Sequence, residues 1–266
     1  MKALLRRVST RTLKEFEFET FQEGPLEGSK NAWTCCAGET FRVRGKDYLT
    51  DKVKEPSAPN AFDLVEVEIF KSTTGKVENY AMCPESAIQR ARKNGDKRFM
   101  LMVVFQTMTI HLVVTWAVEP RVMDEDPVMK DLWERYLNGS EQFRTERFKV
   151  IPRIADGGFF LRRLVGEKPG LLGKRLSFRY HQTESHLLVV CDTVTSSFAS
   201  RITLACMDQA SKLTIDLGFL IEATATKELP ERLFGAFRMS KPDLDGAKPL
   251  TWTEDIPKNG TKTVKA

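Results

Sequence analysis

The chain has 266 residues, of which 41% are hydrophobic, and a formal net charge of +5. This length and composition suffice to bury one large core, and no run reaches the ~18 consecutive apolar residues of a membrane-spanning helix. Five scattered cysteines and three histidines argue against a disulfide framework and a multi-histidine metal site. We therefore expect a protein of a reducing compartment that has neither a cofactor nor a metal.

The N-terminal residues 1–14 are basic, because no acidic residue precedes Glu15. They fit a solvated arm or an amphipathic mitochondrial transit peptide, and they lack the apolar segment of a secretory signal. We favour the solvated arm. We therefore expect a cytoplasmic protein, which would bind endomembranes only peripherally.

The first half of the chain contains clear strand and helix patterns. Residues 62–70 alternate apolar and acidic side chains, which is typical of a half-buried strand. Residues 98–118 contain two β-branched apolar runs split by polar residues, which predicts a buried hairpin. A proline at the start and a glycine at the end predict helices over 84–95 and 127–139.

The second half is richer in strands. Four are predicted at 147–154, 159–165, 174–180 and 186–191, and two more at 214–223 and 231–239. Residues 196–213 carry an apolar stripe at helical spacing behind serine N-cap candidates. Because short turns join most of the strands, antiparallel pairing is expected. The fold class is therefore α+β, with a large curved, mainly antiparallel sheet and two or three packed helices.

Composition also divides the chain. Residues 1–40 are expected to form a partly ordered extension, residues 41–245 the main domain, and the proline-, glycine- and lysine-rich residues 246–266 a flexible tail.

Positive charge is concentrated between residues 144 and 179, where ten cations face three acids. A regional excess of this kind points to an anionic partner. Strand alternation places the cations of residues 147–153 on one side of one strand and those of residues 175–179 on one side of another. The glycine-containing loop 166–175, before the second strand, could present backbone amides and Lys174 to an anion. The candidate anion- or lipid-binding residues are Arg147, Lys149, Arg153, Lys174, Arg175 and Arg179. The alternative is that these cations face solvent and pair with acids.

No catalytic site is predicted. Ser196 and Ser197 lie outside any nucleophile-elbow motif, and His181 lies at the end of a predicted strand. At the turn that Pro230 fixes, Glu228 or Glu231 is expected to bridge to Arg232 or to a neighbouring arginine. We therefore expect a non-enzymatic protein.

Five segments occur in a fixed order between residues 41 and 244. They are FRVRGKDYLTDKVKEP, FDLVEVEIFKS, EQFRTERFKVIPRIADGGFFLRRLVGEKPGLLGKRLSFRY, TIDLGFLIEA and ELPERLFGAFRMSKPDL. Their order and spacing resemble the C-terminal domain of the plant Enhanced Disease Resistance two proteins. Two departures are the Gly157-Gly158-Phe159 sequence, where the family has Gly-Pro-Trp, and the apolar LLVVCDTVTSS, where it has an acidic strand. The second departure puts a metal or acid role for that strand in doubt.

The resemblance implies no enzyme activity. In the plant proteins this domain commonly follows a pleckstrin-homology domain and a lipid-binding START domain, which are credited with phosphoinositide binding. The residues before Phe41 are too few to form either domain. The phosphoinositide binding credited to those two domains is therefore not expected of this chain.

We expect a non-enzymatic regulatory domain that binds lipid or a membrane surface. In this hypothesis a basic sheet face recognises anionic headgroups and the sheet encloses an apolar pocket. The alternative is a protein-interaction module that docks an acidic partner. Nucleic acid is not an expected partner, because no RNA-binding or zinc motif is present. The oligomeric state is left open.

Overall fold

The computed structural model describes residues 22–24, 30–72, 76–165, 170–171, 176–250 and 252. These residues contain seven α-helices: α1 (Tyr48–Asp51), α2 (Ala87–Lys93), α3 (Pro120–Glu125), α4 (Pro127–Asn138), α5 (Glu141–Arg147), α6 (Phe159–Val165) and α7 (Ser197–Asp208). The strands are β1 (Gln22–Glu23), β2 (Ala32–Cys35), β3 (Arg42–Arg44), β4 (Lys54–Pro56), β5 (Phe62–Ser72), β6 (Met100–Gln106), β7 (Ile110–Val118), β8 (Phe148–Asp156), β9 (Gly170–Leu171), β10 (Ser177–Gln182), β11 (His186–Asp192), β12 (Thr214–Ile221), β13 (Gly235–Ser240) and β14 (Lys248–Leu250).

Most strands belong to two six-stranded sheets. The first has the order β1-β2-β13-β12-β8-β9 and the second the order β10-β11-β6-β7-β5-β14, while β3 and β4 form a small hairpin. Pairing is mostly antiparallel; β6–β11, β5–β14 and β1–β2 are parallel. The predicted α+β class and antiparallel pairing are confirmed. The prediction of one large sheet is wrong, because strand alternation does not reveal which strands share a sheet.

Aromatic side chains fill the space between the two sheets. Trp116 of the second sheet lies 4.9 Å, centroid to centroid, from Phe219 of the first, and Phe219 lies 6.0 Å from Phe237. All three side chains are fully buried. The close approach requires a glycine at Gly235, where a Cβ atom would lie 2.1 Å from Trp116 Nε1. The interior is therefore packed at these positions, which argues against the expected enclosed pocket.

The outer face of each sheet is covered as well. Phe41 and Val43 pack over Leu220 on the first sheet. Tyr80 and Ile88 belong to a segment that packs over the second sheet. Side chains that point away from the central core therefore meet a further layer of protein.

Helices close the two ends of the sandwich. Helix α4, which was predicted, begins at Pro127 after the capping side chain of Asp126 and packs Trp133 against Phe62. At the opposite end, α7 runs from the end of β11 towards the start of β12, with the hydroxyl of Ser196 as its N-cap.

Two local predictions are wrong. Residues 159–165 form helix α6, not a strand: Leu161 is buried while Arg162 and Arg163 are exposed, and the leucines and arginines of this run are good helix formers. Arg147, predicted on a strand, is the last residue of α5, and there are more helices than the two or three expected.

Three described strands lie in the predicted flanking segments. β1 and β2 precede residue 41 and pair with each other, and β2 also pairs with β13. β14 lies within residues 246–266 and pairs with β5. The basic residues 1–14 lie outside the described residues.

Candidate functional site

The cations at 147 and 149 bind glutamates that lie far along the chain. Arg147 donates to Glu228 Oε2 at 2.9 Å and to the carbonyl oxygen of Glu222 at 2.9 Å. Lys149 Nζ lies 2.8 and 2.9 Å from the two carboxylate oxygens of Glu231. Side-chain exposure is only 4% for Lys149 and 0% for Glu231. These two cations are therefore neutralised inside the protein.

Arg153 belongs to a second ionic cluster on the same outer face. Its Nη2 lies 2.6 Å from Asp216 Oδ2, and Arg238 Nε lies 2.6 Å from Asp216 Oδ1. Burial alone would raise the pKa of Asp216, but the two guanidinium groups outweigh it and lower that pKa. The carboxylate is therefore charged and holds β8, β12 and β13 together.

Arg179 lies on the other sheet, facing its outer layer. It donates to Gln106 Oε1 at 3.1 Å, and its guanidinium lies 3.8 Å from Asp192 and 3.9 Å from Glu78. Lys174 and Arg175 lie outside the described residues. The expected single wall of unpaired cations is therefore wrong for the four residues that the structure describes.

The reason for this error is the extra protein layer. Alternation correctly places Lys149 and Arg153 on one side of β8, both away from the central core. That side is covered by residues 36–44 and by the loop that contains Glu222 and Glu231. A charged side chain under such a layer needs a partner, which the loop supplies.

The acidic loop is the part of this site that the sequence identified. Glu228 pairs with both Arg135 and Arg147, which confirms the expected bridge to arginine. Glu231 pairs with Lys149, and Arg232, the other expected partner, pairs with Asp126 instead. Burial would raise the pKa of Glu228, but the backbone amide of Thr224 and the two guanidinium groups lower it to about 2. These contacts join two of the segments that carry the family resemblance.

A different acidic cluster lies under α2. Arg90 donates to Glu66 and to Glu68 Oε1, the latter at 3.1 Å, and Tyr80 Oη lies 3.2 Å from Glu68 Oε1. Burial raises the pKa of Glu68 to about 8, and the charge of Glu66 adds to the effect. We infer that Glu68 carries the proton of this pair, because it is the more deeply buried carboxyl group.

One group of exposed cations lies at the end of the sandwich next to α7. Helix α6 follows β8, contacts α7, and is anchored by Leu161 and by hydrogen bonds from Arg162 to backbone carbonyls at the end of β8. Four exposed cations at this end form no ion pair with any carboxylate that the structure describes: Arg162, Arg163, Arg201 and Lys212. The exposed acids Asp208, Asp243 and Asp245 lie near the same end and offset part of this charge.

Apolar side chains are exposed at the same end. The turn between β6 and β7 lies beside the segment after β11, because Thr193 donates from its amide to the carbonyl oxygen of Gln106 at 3.0 Å. Four of the seven large apolar side chains exposed in the described residues belong to this end: Met108, Phe159, Val194 and Leu204. Phe159 is 79% exposed. We call these four residues and the four cations the basic end. It was not predicted from the sequence, because residues 159–165 were expected to form a strand.

No reactive group stands out in the described chain. Burial raises the pKa of Cys206 to about 11 and that of Cys36 to about 12, and it lowers the pKa of His111 to about 4. Within the same ranges, no three metal-binding side chains cluster. None of the helices described there is long and apolar enough to cross a membrane.

Comparison with known proteins identifies the family. The model of "Protein ENHANCED DISEASE RESISTANCE 2, C-terminal" matches residues 33–243. A relative from Arabidopsis thaliana, "Protein ENHANCED DISEASE RESISTANCE 2-like", is 31% identical over 221 residues, which cover 83% of this chain and 30% of the relative. The chain thus spans less than a third of that relative, and no solved structure gives a significant match. The chain belongs to the family of ENHANCED DISEASE RESISTANCE 2 C-terminal domains.

Proposed function

We propose that this chain is a non-enzymatic regulatory domain that binds anionic membrane surfaces peripherally, through the basic end. The observation that carries the proposal is the exposed Phe159 on the same helix as Arg163, a cation with no ion pair among the described residues. Exposed aromatic and basic side chains together suit the boundary between headgroups and acyl chains.

Charge supports this location over the sheet face. Each arginine or lysine near an anionic leaflet contributes about 1 kcal/mol of attraction, provided that no carboxylate of the protein neutralises it. Arg163 and Arg201 meet this condition in the described structure, whereas Lys149 and Arg153 do not. Of these two surfaces, the basic end is therefore the one from which an anionic headgroup would gain more.

Anchoring of the helix supports it further. Leu161 is buried beside Ile154 and Leu213, so α6 is held against the end of the sandwich while Phe159 projects from it. A fixed helix loses little conformational entropy when it docks. The packed aromatic interior favours surface contact over a lipid held between the sheets.

Vesicle co-sedimentation tests the proposal, with phosphatidylcholine vesicles that contain or lack phosphatidylserine. We expect binding only with phosphatidylserine, and Arg163→Ala or Arg201→Ala to weaken it about fivefold each, equivalent to about 1 kcal/mol. Phe159→Ser should weaken it about tenfold, because burial of part of an aromatic ring is worth more than 1 kcal/mol.

Lys227→Ala is the matched control, since Lys227 is exposed in the segment after β12, at the end of the sandwich next to α4. It should leave vesicle binding unchanged, because its charge lies beyond the screening length from the docked surface. Equal sedimentation with both lipid compositions, or equal losses for Lys227→Ala and Arg163→Ala, would remove the proposal.

Docking of an acidic protein is the alternative use of the same cations. Charge alone would carry that interaction, so Phe159→Ser would not affect it and salt would abolish it. The exposure of Phe159 favours the membrane.

A further inference from the structure

The edge of β5 in the second sheet is occupied over only a short length. β5 has eleven residues, and β14 pairs with the last three of them, in the register Lys248–Phe70 to Leu250–Ser72. At the other end, the amide of Phe62 donates to the carbonyl oxygen of Phe234 at 2.8 Å. Between these points no strand among the described residues pairs with this edge of β5. The described strands therefore leave residues 63–69 of this edge without a strand partner.

The segment that occupies the edge shows what the edge accepts. Leu250 and Trp252 pack on the apolar cluster of Val77 and Tyr80, whereas Pro249 points to solvent. Ala247 is buried on the other side of the sheet, beside Ile69. Apolar side chains at alternate positions are the pattern of an extended peptide added to a sheet edge.

The occupying segment lies outside the part of the chain that matches the family, which ends at residue 243. A strand of three residues adds few backbone hydrogen bonds, and a strand edge with unpaired groups pairs readily with another extended chain. A longer segment could thus pair with more of β5 than β14 does.

We propose that the edge of β5 is a strand-addition site for an extended segment of a partner protein with apolar side chains at alternate positions. Residues 248–250 and 252 fill one end of this site in the absence of that partner. The occupied part of this site adjoins the basic end, because the amide of Ser72 donates to the carbonyl oxygen of Thr109 and Ala247 belongs to the cluster on which Met207 of α7 packs. The proposal does not rest on membrane binding.

The test uses a fluorescent peptide of residues 246–254 and the full chain. In the variant Leu250→Asp/Trp252→Ser the chain loses the two side chains that anchor its own segment. Anisotropy should show that the peptide binds this variant at least about tenfold more tightly than it binds the unmodified chain. A peptide with the same two substitutions should not bind. The control Val53→Asp, at an exposed apolar residue outside both sheets, should behave like the unmodified chain.

Absence of binding to a variant with a cooperative unfolding transition would overturn the proposal, and so would equal binding to the variant and the unmodified chain. Hydrogen exchange of the unmodified chain gives a second test that needs no substitution. The amides of β14 should exchange much faster than those of β7, because β14 must open locally for a partner to enter. Equally slow exchange of both strands would also overturn it.

Discussion

The substitution Glu231→Gln tests whether the cations of the sheet face are structural. Glu231 accepts from Lys149 Nζ at 2.8 Å and from the amides of Arg44 and Ala223, both at 3.1 Å. Glutamine has nearly the same shape, and its one carbonyl oxygen still accepts from one of these two amides, which donate to different oxygens of Glu231. The substitution therefore removes the negative charge and leaves the buried ammonium group of Lys149 without its counter-ion.

The expected loss of stability follows from the burial of the Lys149–Glu231 ion pair. Loss of one partner of a buried ion pair costs about 3–5 kcal/mol, against a total free energy of unfolding of about 5–15 kcal/mol. For a domain of this size, 1 kcal/mol shifts Tm by about 2–4 °C. We therefore expect Glu231→Gln to lower Tm by roughly 6–20 °C.

Urea denaturation followed by circular dichroism, together with a thermal scan, measures both quantities. Glu125→Gln is the matched control, because Glu125 pairs with Arg121 on an exposed helical turn. It should cost less than about 0.5 kcal/mol. Addition of Lys149→Met to Glu231→Gln should restore most of the loss, because the unpaired charge is then gone.

A loss below about 1 kcal/mol for Glu231→Gln would refute the reasoning, because it would mean that water screens the pair as it screens a surface ion pair. The same variants should bind anionic vesicles as the unmodified chain does. Weaker vesicle binding by the folded Lys149→Met/Glu231→Gln variant would indicate that the sheet face binds the lipid headgroups.

Three further predictions concern stability. Asp216→Asn should cost about 3 kcal/mol, measured by urea denaturation, because it leaves two guanidinium groups without their shared carboxylate; a cost below about 1 kcal/mol would contradict the cluster. Gly235→Ala should cost about 1–3 kcal/mol or more, because its Cβ meets Trp116, and unaltered unfolding would contradict the packing. The pKa of Glu68 is raised to about 8, so its contribution to stability is complete below about pH 4 and declines, by up to about 1.4 kcal/mol per pH unit, as pH rises towards 8. Glu68→Gln should flatten the dependence of the free energy of unfolding on pH, and an unchanged slope would contradict this assignment.

Local sequence signals were enough to predict many of the helices and strands. The polar break in residues 98–118 separates β6 from β7, and Pro127 starts α4 as predicted. Both features depend on neighbouring residues alone, through turn chemistry and capping. The prediction of a strand over residues 159–165 was wrong because it also relied on neighbouring residues alone. The apolar and basic side chains of this run suit a helix as well as a strand, and the two preceding glycines suggested a hairpin.

The location of the candidate site could not be predicted from the sequence, because it depends on contacts between residues far apart in the chain. The periodicity of a segment carries no information about such contacts. Alternation placed Lys149 on the correct side of β8, but its partner Glu231 lies 82 residues later in the sequence. Only the fold shows that this side is covered. The exposed cations of α6 could be found only once that segment was known to be a helix packed by one buried leucine.

Fluorescence from a probe at the basic end tests the central claim most directly. A polarity-sensitive fluorophore is attached to Met108→Cys, and in a second protein to Thr226→Cys at the opposite end of the sandwich, both with Cys35→Ser because Cys35 is exposed. With phosphatidylserine vesicles we expect a blue shift for the probe at 108 and none for the probe at 226. A shift at 226 alone, equal shifts at both positions, or no shift at either would contradict membrane docking through the basic end.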